Sequence, residues 1–180
     1  MDTELTVYGD TNTLPSNSSN ACSKEMSALN QLWHVKGLKW FSSHLVNYEV
    51  GKTTDESKRN RLVAEYKERE IISKDERIVG VNIQYLSSPY GGFVSFYLLS
   101  DVQDEPLRAE LIQQRFDQRD AEHIAQAVSN KCDVFLTRDK RTILNRRSWL
   151  ENRFPAMKVL LPSELLAELE ARTLPHPPPD

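Results

Sequence analysis

The chain has 180 residues, 39% of them hydrophobic and 27% charged, and a formal net charge of −3 at pH 7. That length holds one domain with a sizeable core, and the composition is ordinary for a soluble globular protein. The slightly acidic total excludes a global basic field, so any nucleic-acid contact falls to a local cluster of cations.

Cys22 and Cys132 lie far apart with no C-x-x-C pair. This argues against a disulfide framework or zinc ribbon and for buried, inert thiols. No run approaches the roughly 18 apolar residues of a membrane span. The acidic start, Met1-Asp2-Thr3-Glu4, lacks the layout of a secretory signal. The expectation is a cytoplasmic protein with no membrane contact.

In chain order, Leu5-Thr6-Val7-Tyr8 is a short β-prone run stopped by Gly9-Asp10. Residues 12–20, with Pro15 and no periodicity, read as a loop. Residues 23–35 place Met26, Leu29, Leu32 and Trp33 on one helical face, and Gly37 ends that helix. Leu38 to Phe41 is a second strand, and Ser42 or Ser43 caps a short helix bearing Leu45, Val46 and Glu49. A charged helix over 54–70 turns Leu62, Val63 and Tyr66 inward, and the mixed charges of 55–77 read as a solvated face.

Alternation of Val79, Val81, Ile83 and Tyr85 predicts a strand, with a turn over 89–92 before 93–99. Pro106 opens a helix at a first-turn position. Residues 117–130 form another, with Ala121, Ile124, Ala125 and Val128 as its apolar stripe. A strand over 133–137, a basic helix over 140–150, a strand over 157–161 and a closing helix to Ala171 complete the pattern. Strands alternating with helices predict an α/β domain with a mostly parallel sheet. It spans residues 1–172, with 71–115 as an atypical inserted region and 173–180 as a disordered Pro-rich tail.

In such sheets ligands gather at the carboxyl ends of the strands. Asp10 follows the first strand directly, and Asp139 comes two residues after Thr137 closes another. Asp120 flanks the apolar stripe of its helix, and Glu49 shares the face of Leu45. Carboxylates turned toward a core are costly unless something pairs them, and Mg2+ or Mn2+ suits hard oxygen ligands. Singly, each acid has a plainer reading: Asp10 as a helix cap, Asp120 as a partner of a helix N-terminus.

The combination resembles the PIN-domain family. Val7-Tyr8-Gly9-Asp10-Thr11-Asn12 is similar to its opening strand and first acid, and Asn47-Tyr48-Glu49 to its helical Glu. Asp120-Ala121-Glu122-His123-Ile124-Ala125-Gln126-Ala127 resembles the helix where an Asp, a His three residues on and two alanines recur. Asp133 to Asp139 resembles the strand-plus-Thr-x-Asp segment that bears the last acid. The resemblance covers 5–70 and 116–169 and departs over 71–115.

It implies a three-layer α/β/α fold and a metal-dependent endoribonuclease, with Asp10, Glu49, Asp120 and Asp139 as catalytic, metal-binding carboxylates holding one or two Mg2+ or Mn2+ ions. Thr137 and Asn12 are expected to hydrogen-bond carboxylates into place, Thr137 having a helix cap as its other reading. His123 reads as a structural hydrogen-bonding partner. Arg138, Lys140, Arg141, Arg146, Arg147 and Arg153 cluster near Asp139 as candidate RNA contacts, or as a solvated helix face. RNA, single-stranded or looped, is the expected partner.

The resemblance also admits the toxin of a toxin–antitoxin pair, with a cognate antitoxin and a homodimer as further partners. Two rival readings are an inactive PIN-like binding module and a phosphatase of the haloacid-dehalogenase type. The phosphatase rests on Asp10-Thr11-Asn12-Thr13, where Asn12 stands in place of that family's second acid.

Overall fold

The computed structural model describes residues 4–14, 23–71 and 105–173. The strands expected over 79–85 and 93–99, Cys22 and the Pro-rich tail lie outside them. Five strands run β1 Leu5–Gly9, β2 Leu38–Ser42, β3 Glu70–Ile71, β4 Val134–Leu136 and β5 Lys158–Leu160. They form one sheet in the order β3-β2-β1-β4-β5, with every neighbouring pair parallel. The helices are α1 Lys24–Leu32, α2 His44–Gly51, α3 Glu56–Lys67, α4 Glu105–Gln113, α5 Gln118–Ser129, α6 Arg147–Arg153 and α7 Pro162–Thr173.

Side-chain alternation along the strands builds the expected three layers. From β1, Tyr8 joins Phe41, Phe135 and Val159 on one face, where Leu111 of α4, Ile124 of α5 and Leu150 of α6 bury against them. Val7 points the other way, with Val134, Leu136 and Leu160, onto Met26 and Leu29 of α1 and Leu165 of α7. Leu14, Val46, Val50, Leu62 and Tyr66 form a smaller cluster under α2 and α3. Cys132 is buried, and burial pushes its thiol up to about 12, so it is inert as expected. No helix among the described residues is long and apolar enough to cross a membrane.

Three local expectations are corrected. Thr11–Thr13 forms a 3-10 turn inside the expected loop, with Asp10 capping it. The helix predicted over 54–70 ends at Lys67, because Glu70–Ile71 pairs with Phe41–Ser42 and the sheet edge satisfies that backbone instead. The basic helix predicted from Lys140 begins only at Arg147, after a 3-10 turn at Leu144–Arg146. There the Asp139 carboxylate accepts hydrogen bonds from the Arg141 and Thr142 amides, a local alternative to helical pairing.

The sheet grows from β1 first toward β2 and then, on its other side, to β4. The carboxyl ends of β1 and β4 therefore flank the point where strand order reverses, where open α/β sheets leave a crevice.

Candidate metal centre

Asp10 leaves β1 at this crevice and is only 7% exposed. Its Oδ1 accepts from the Thr11 amide at 2.6 Å. Its Oδ2 accepts from Asn12 Nδ2 at 2.5 Å and from the Thr137 hydroxyl at 2.8 Å. Thr137, at the end of β4, also takes a hydrogen bond from the Asp139 amide at 3.0 Å, so one hydroxyl ties the first acid to the segment carrying the last. Burial pushes the Asp10 carboxyl above its ordinary range, with His123 and Thr137 opposing it.

Asn12 spends its whole amide on this arrangement. Besides Asp10, its Nδ2 reaches Thr137 Oγ1 at 3.1 Å, and its Oδ1 accepts from the Arg138 amide at 2.8 Å. The residue standing where the rival phosphatase needs an acid acts here as an orienting bridge.

Glu49 comes from α2 and His123 from the buried side of α5. A ligand atom of each lies within 4.8 Å of one on Asp10 and of the other, the group among the described residues best placed to hold a metal ion. His123 Nε2 stands 3.6 Å from Glu49 Oε2. Burial works to raise the Glu49 carboxyl, but His123, Thr11 and Arg119 outweigh it and hold it below its usual value. Burial disfavours charge on His123, yet Glu49, Asp10 and Asp120 together raise its basicity.

Asp120 and Asp139 stand outside that close group. Asp120 lies in the first turn of α5, which Asp117 caps. Its Oδ2 is buried without a hydrogen-bond partner. Burial, joined by the charges of Asp117, Asp10 and Asp139, pushes its carboxyl to about 6, against the Thr142 hydroxyl that lowers it. Asp139 is turned into its own turn: Oδ1 takes the Arg141 and Thr142 amides at 2.8 and 2.9 Å, and Oδ2 takes the Thr142 hydroxyl at 2.5 Å. Burial alone would raise it, but these bonds and Arg141 hold it ionised below its ordinary value.

Arg69 sits beneath the site and was hidden in a run read as a solvated face. It is 4% exposed, packed against the paired rings of Trp33 and Trp40, at 5.1 and 5.3 Å from their centroids. Its guanidinium donates to the carbonyls of Gly9 at 2.8 Å and Thr13 at 3.0 Å, clamping the turn that carries Asp10. Desolvation lowers it to about 10, so it stays charged at neutral pH.

The basic cluster separates into spent and open cations. Arg147 makes a two-pronged pair with Glu164, and Arg153 one with Glu110. Arg138 donates from Nε to the Asn12 carbonyl at 2.5 Å, and Arg146 lies 5.1 Å from the Phe116 ring centre. Lys140 and Arg141 are exposed and form no ion pair among the described residues. A groove of about 470 Å3 is lined by Asn12, Ser23, Glu25, Arg138 and Asp139.

No family model matches the chain, and no curated protein matches it. Among solved structures it is similar to the crystal structure of VapBC2 from Rickettsia felis bound to a DNA fragment from their promoter. The TM-score is 0.47 and the identity 15%, over 87% of this chain and 98% of that one. Identity and score at this level leave the chemistry of the centre to be argued from its own residues.

Proposed function

We propose that this chain is a metal-dependent endoribonuclease of PIN-domain type, hydrolysing phosphodiester bonds in single-stranded or looped RNA. The observation that carries the reading is Asp120 Oδ2. It is a buried carboxylate oxygen with no donor, set where three further acids add to its burden. A buried anion without a partner is costly, and a divalent cation at the crevice removes that cost. The donor set fits such an ion, with Asp10, Glu49 and Asp120 as ligands and Asp139 adding its charge from the edge.

A Mg2+ or Mn2+ ion held there by these carboxylates would supply the positive charge needed to activate water and offset charge on the phosphoryl oxygens. The protein's own part is positioning. Thr137, Asn12 and the Thr11 amide fix both oxygens of Asp10, so that carboxylate meets its ion without rearranging. Glu49, held ionised, is suited to keep its charge beside the ion and poorly suited to take up a proton at neutral pH. Lys140 and Arg141 offer the RNA backbone exposed cations that form no ion pair among the described residues, and Arg138 and Asp139 line a groove next to them in sequence.

The test is cleavage of a single-stranded RNA with MnCl2, comparing the natural protein with Asp120→Asn. The substitution removes the charge and nearly keeps the volume, so cleavage is expected to vanish while circular dichroism stays unchanged. Equal cleavage by the variant, or by protein stripped with a chelator, sinks the reading.

A further inference from the structure

The centre contains one donor that a purely carboxylate reading leaves unused. His123 is 3% exposed, and its Nε2 has no hydrogen-bond partner, although it stands 3.6 Å from Glu49 Oε2 and the ring offers a nitrogen within 4.8 Å of oxygens of both Asp10 and Glu49. Its other ring nitrogen, Nδ1, lies 2.7 Å from the Tyr8 hydroxyl, which lies 2.7 Å from Ser43 Oγ. Tyr8 is itself fixed, stacked on Phe135 with ring centres 5.5 Å apart and meeting the His123 ring edge-on at 5.9 Å.

We propose that His123 Nε2 is a nitrogen ligand of this centre, so that His123 joins the carboxylates of Asp10, Glu49 and Asp120 in a mixed oxygen–nitrogen site taking a first-row transition-metal dication in preference to Mg2+. The inference rests on the metal-binding reading above and names which ion that centre takes.

The hydrogen-bond chain gives the ring the form a ligand needs. With Nδ1–H donating to the Tyr8 oxygen and the Tyr8 hydroxyl donating to Ser43, the Nε2 lone pair is left facing the two carboxylates. A ligating histidine characteristically anchors its far nitrogen this way, which fixes tautomer and ring orientation. Mg2+ favours all-oxygen surroundings and gains little from the imidazole, whereas Mn2+, Co2+ and Zn2+ accept it readily.

Pulsed electron paramagnetic resonance of the full chain with one equivalent of MnCl2 reads the ligand directly. The expected result is nitrogen coupling from one coordinated imidazole, lost in His123→Gln. Calorimetric titration with MnCl2 and MgCl2 gives a second readout. Tyr8→Phe keeps the stacking and removes the anchor, and is expected to weaken Mn2+ binding about 10- to 100-fold while changing Mg2+ binding far less. Bound Mn2+ without nitrogen coupling, or coupling that persists in His123→Gln, overturns the ligand assignment and leaves the carboxylate site standing. A chain that takes up no Mn2+ overturns both. The wild-type spectrum decides even if His123→Gln fails to fold.

Discussion

Arg69 and Gly9 are fitted to one another. The guanidinium donates to the Gly9 carbonyl at 2.8 Å, and a Cβ at position 9 would stand 2.8 Å from Arg69 Cζ and 2.9 Å from Thr13 Oγ1. The far end of an arginine normally moves aside cheaply, but this one is held by the Gly9 and Thr13 carbonyls and two indole rings. Gly9→Ala is therefore expected to destabilise the fold by about 1–3 kcal/mol, as for an overpacked core. Urea denaturation measures it, and an unchanged midpoint contradicts the fit.

Removing the clamp itself tests the link from packing to site. Arg69→Met keeps length and bulk but leaves the carbonyls of Gly9 and Thr13 without their charged donor, a loss of about 1.5–3 kcal/mol for such a bond. The turn carrying Asp10 should loosen, so Mn2+ affinity falls in protein that is still folded. Unaltered affinity in a folded variant would separate Arg69 from the site.

Thr137→Val is nearly the same shape and withdraws one donor from Asp10 Oδ2. A buried carboxylate short of a donor costs about 1–3 kcal/mol. Its carboxyl should also rise further, because that hydrogen bond now lowers it. Mn2+ binding in the variant should need a higher pH than in the natural protein, and superimposable pH profiles would refute this.

The Asp120 carboxyl gives a pH test with a definite sign. Its folded value of about 6 lies above its ordinary 3.8. The folded state thus holds a proton that the unfolded chain has released, and the stability this group confers is lost as pH rises from about 3.8 through 6. A dication relieves the strain only once the proton is gone. The rise in melting temperature produced by MnCl2 should be small at pH 5 and full at pH 7.5; equal rises at both would count against Asp120 as a ligand.

For RNA, the open and spent cations predict different phenotypes. Lys140→Ala with Arg141→Ala should make the fall of log affinity with log salt shallower by about 1.4, at roughly 0.7 per single-strand phosphate contact. Arg147→Ala should lower thermal stability through its lost Glu164 pair and leave the salt slope alone. Filter-binding titrations across salt concentrations distinguish them.

Much of the framework was legible because it rests on local signals. Strand ends marked Asp10 and the Asp139 segment, and the stripe Ala121, Ile124, Ala125 placed α5 with its buried face. His123, one turn beyond Asp120, was marked only by the motif that carries the resemblance, and the structure buries it. Its expected role as a hydrogen-bonding partner is met by Tyr8, which with Ser43 forms a chain joining residues far apart in sequence. Arg69 gave no local signal among charged neighbours, since its burial is created by Trp33 and Trp40. The onset of α6 was misplaced because a side-chain cap at Asp139 outcompeted helix propensity. In the basic cluster, composition could not show that Glu164 and Glu110 would engage Arg147 and Arg153.

Among the described strands the central one comes earliest in the chain, yet its neighbour β4 follows after a long stretch, with Thr6 bonded to Asp133 across 127 positions. Pairing so remote in sequence carries a large loop-closure entropy and slows folding. The polypeptide bearing Asp10 and Glu49 consequently leaves the ribosome long before α5 and β4 arrive to complete the centre. Synthesis order thus leaves the centre without two of its walls until the second half of the chain has docked.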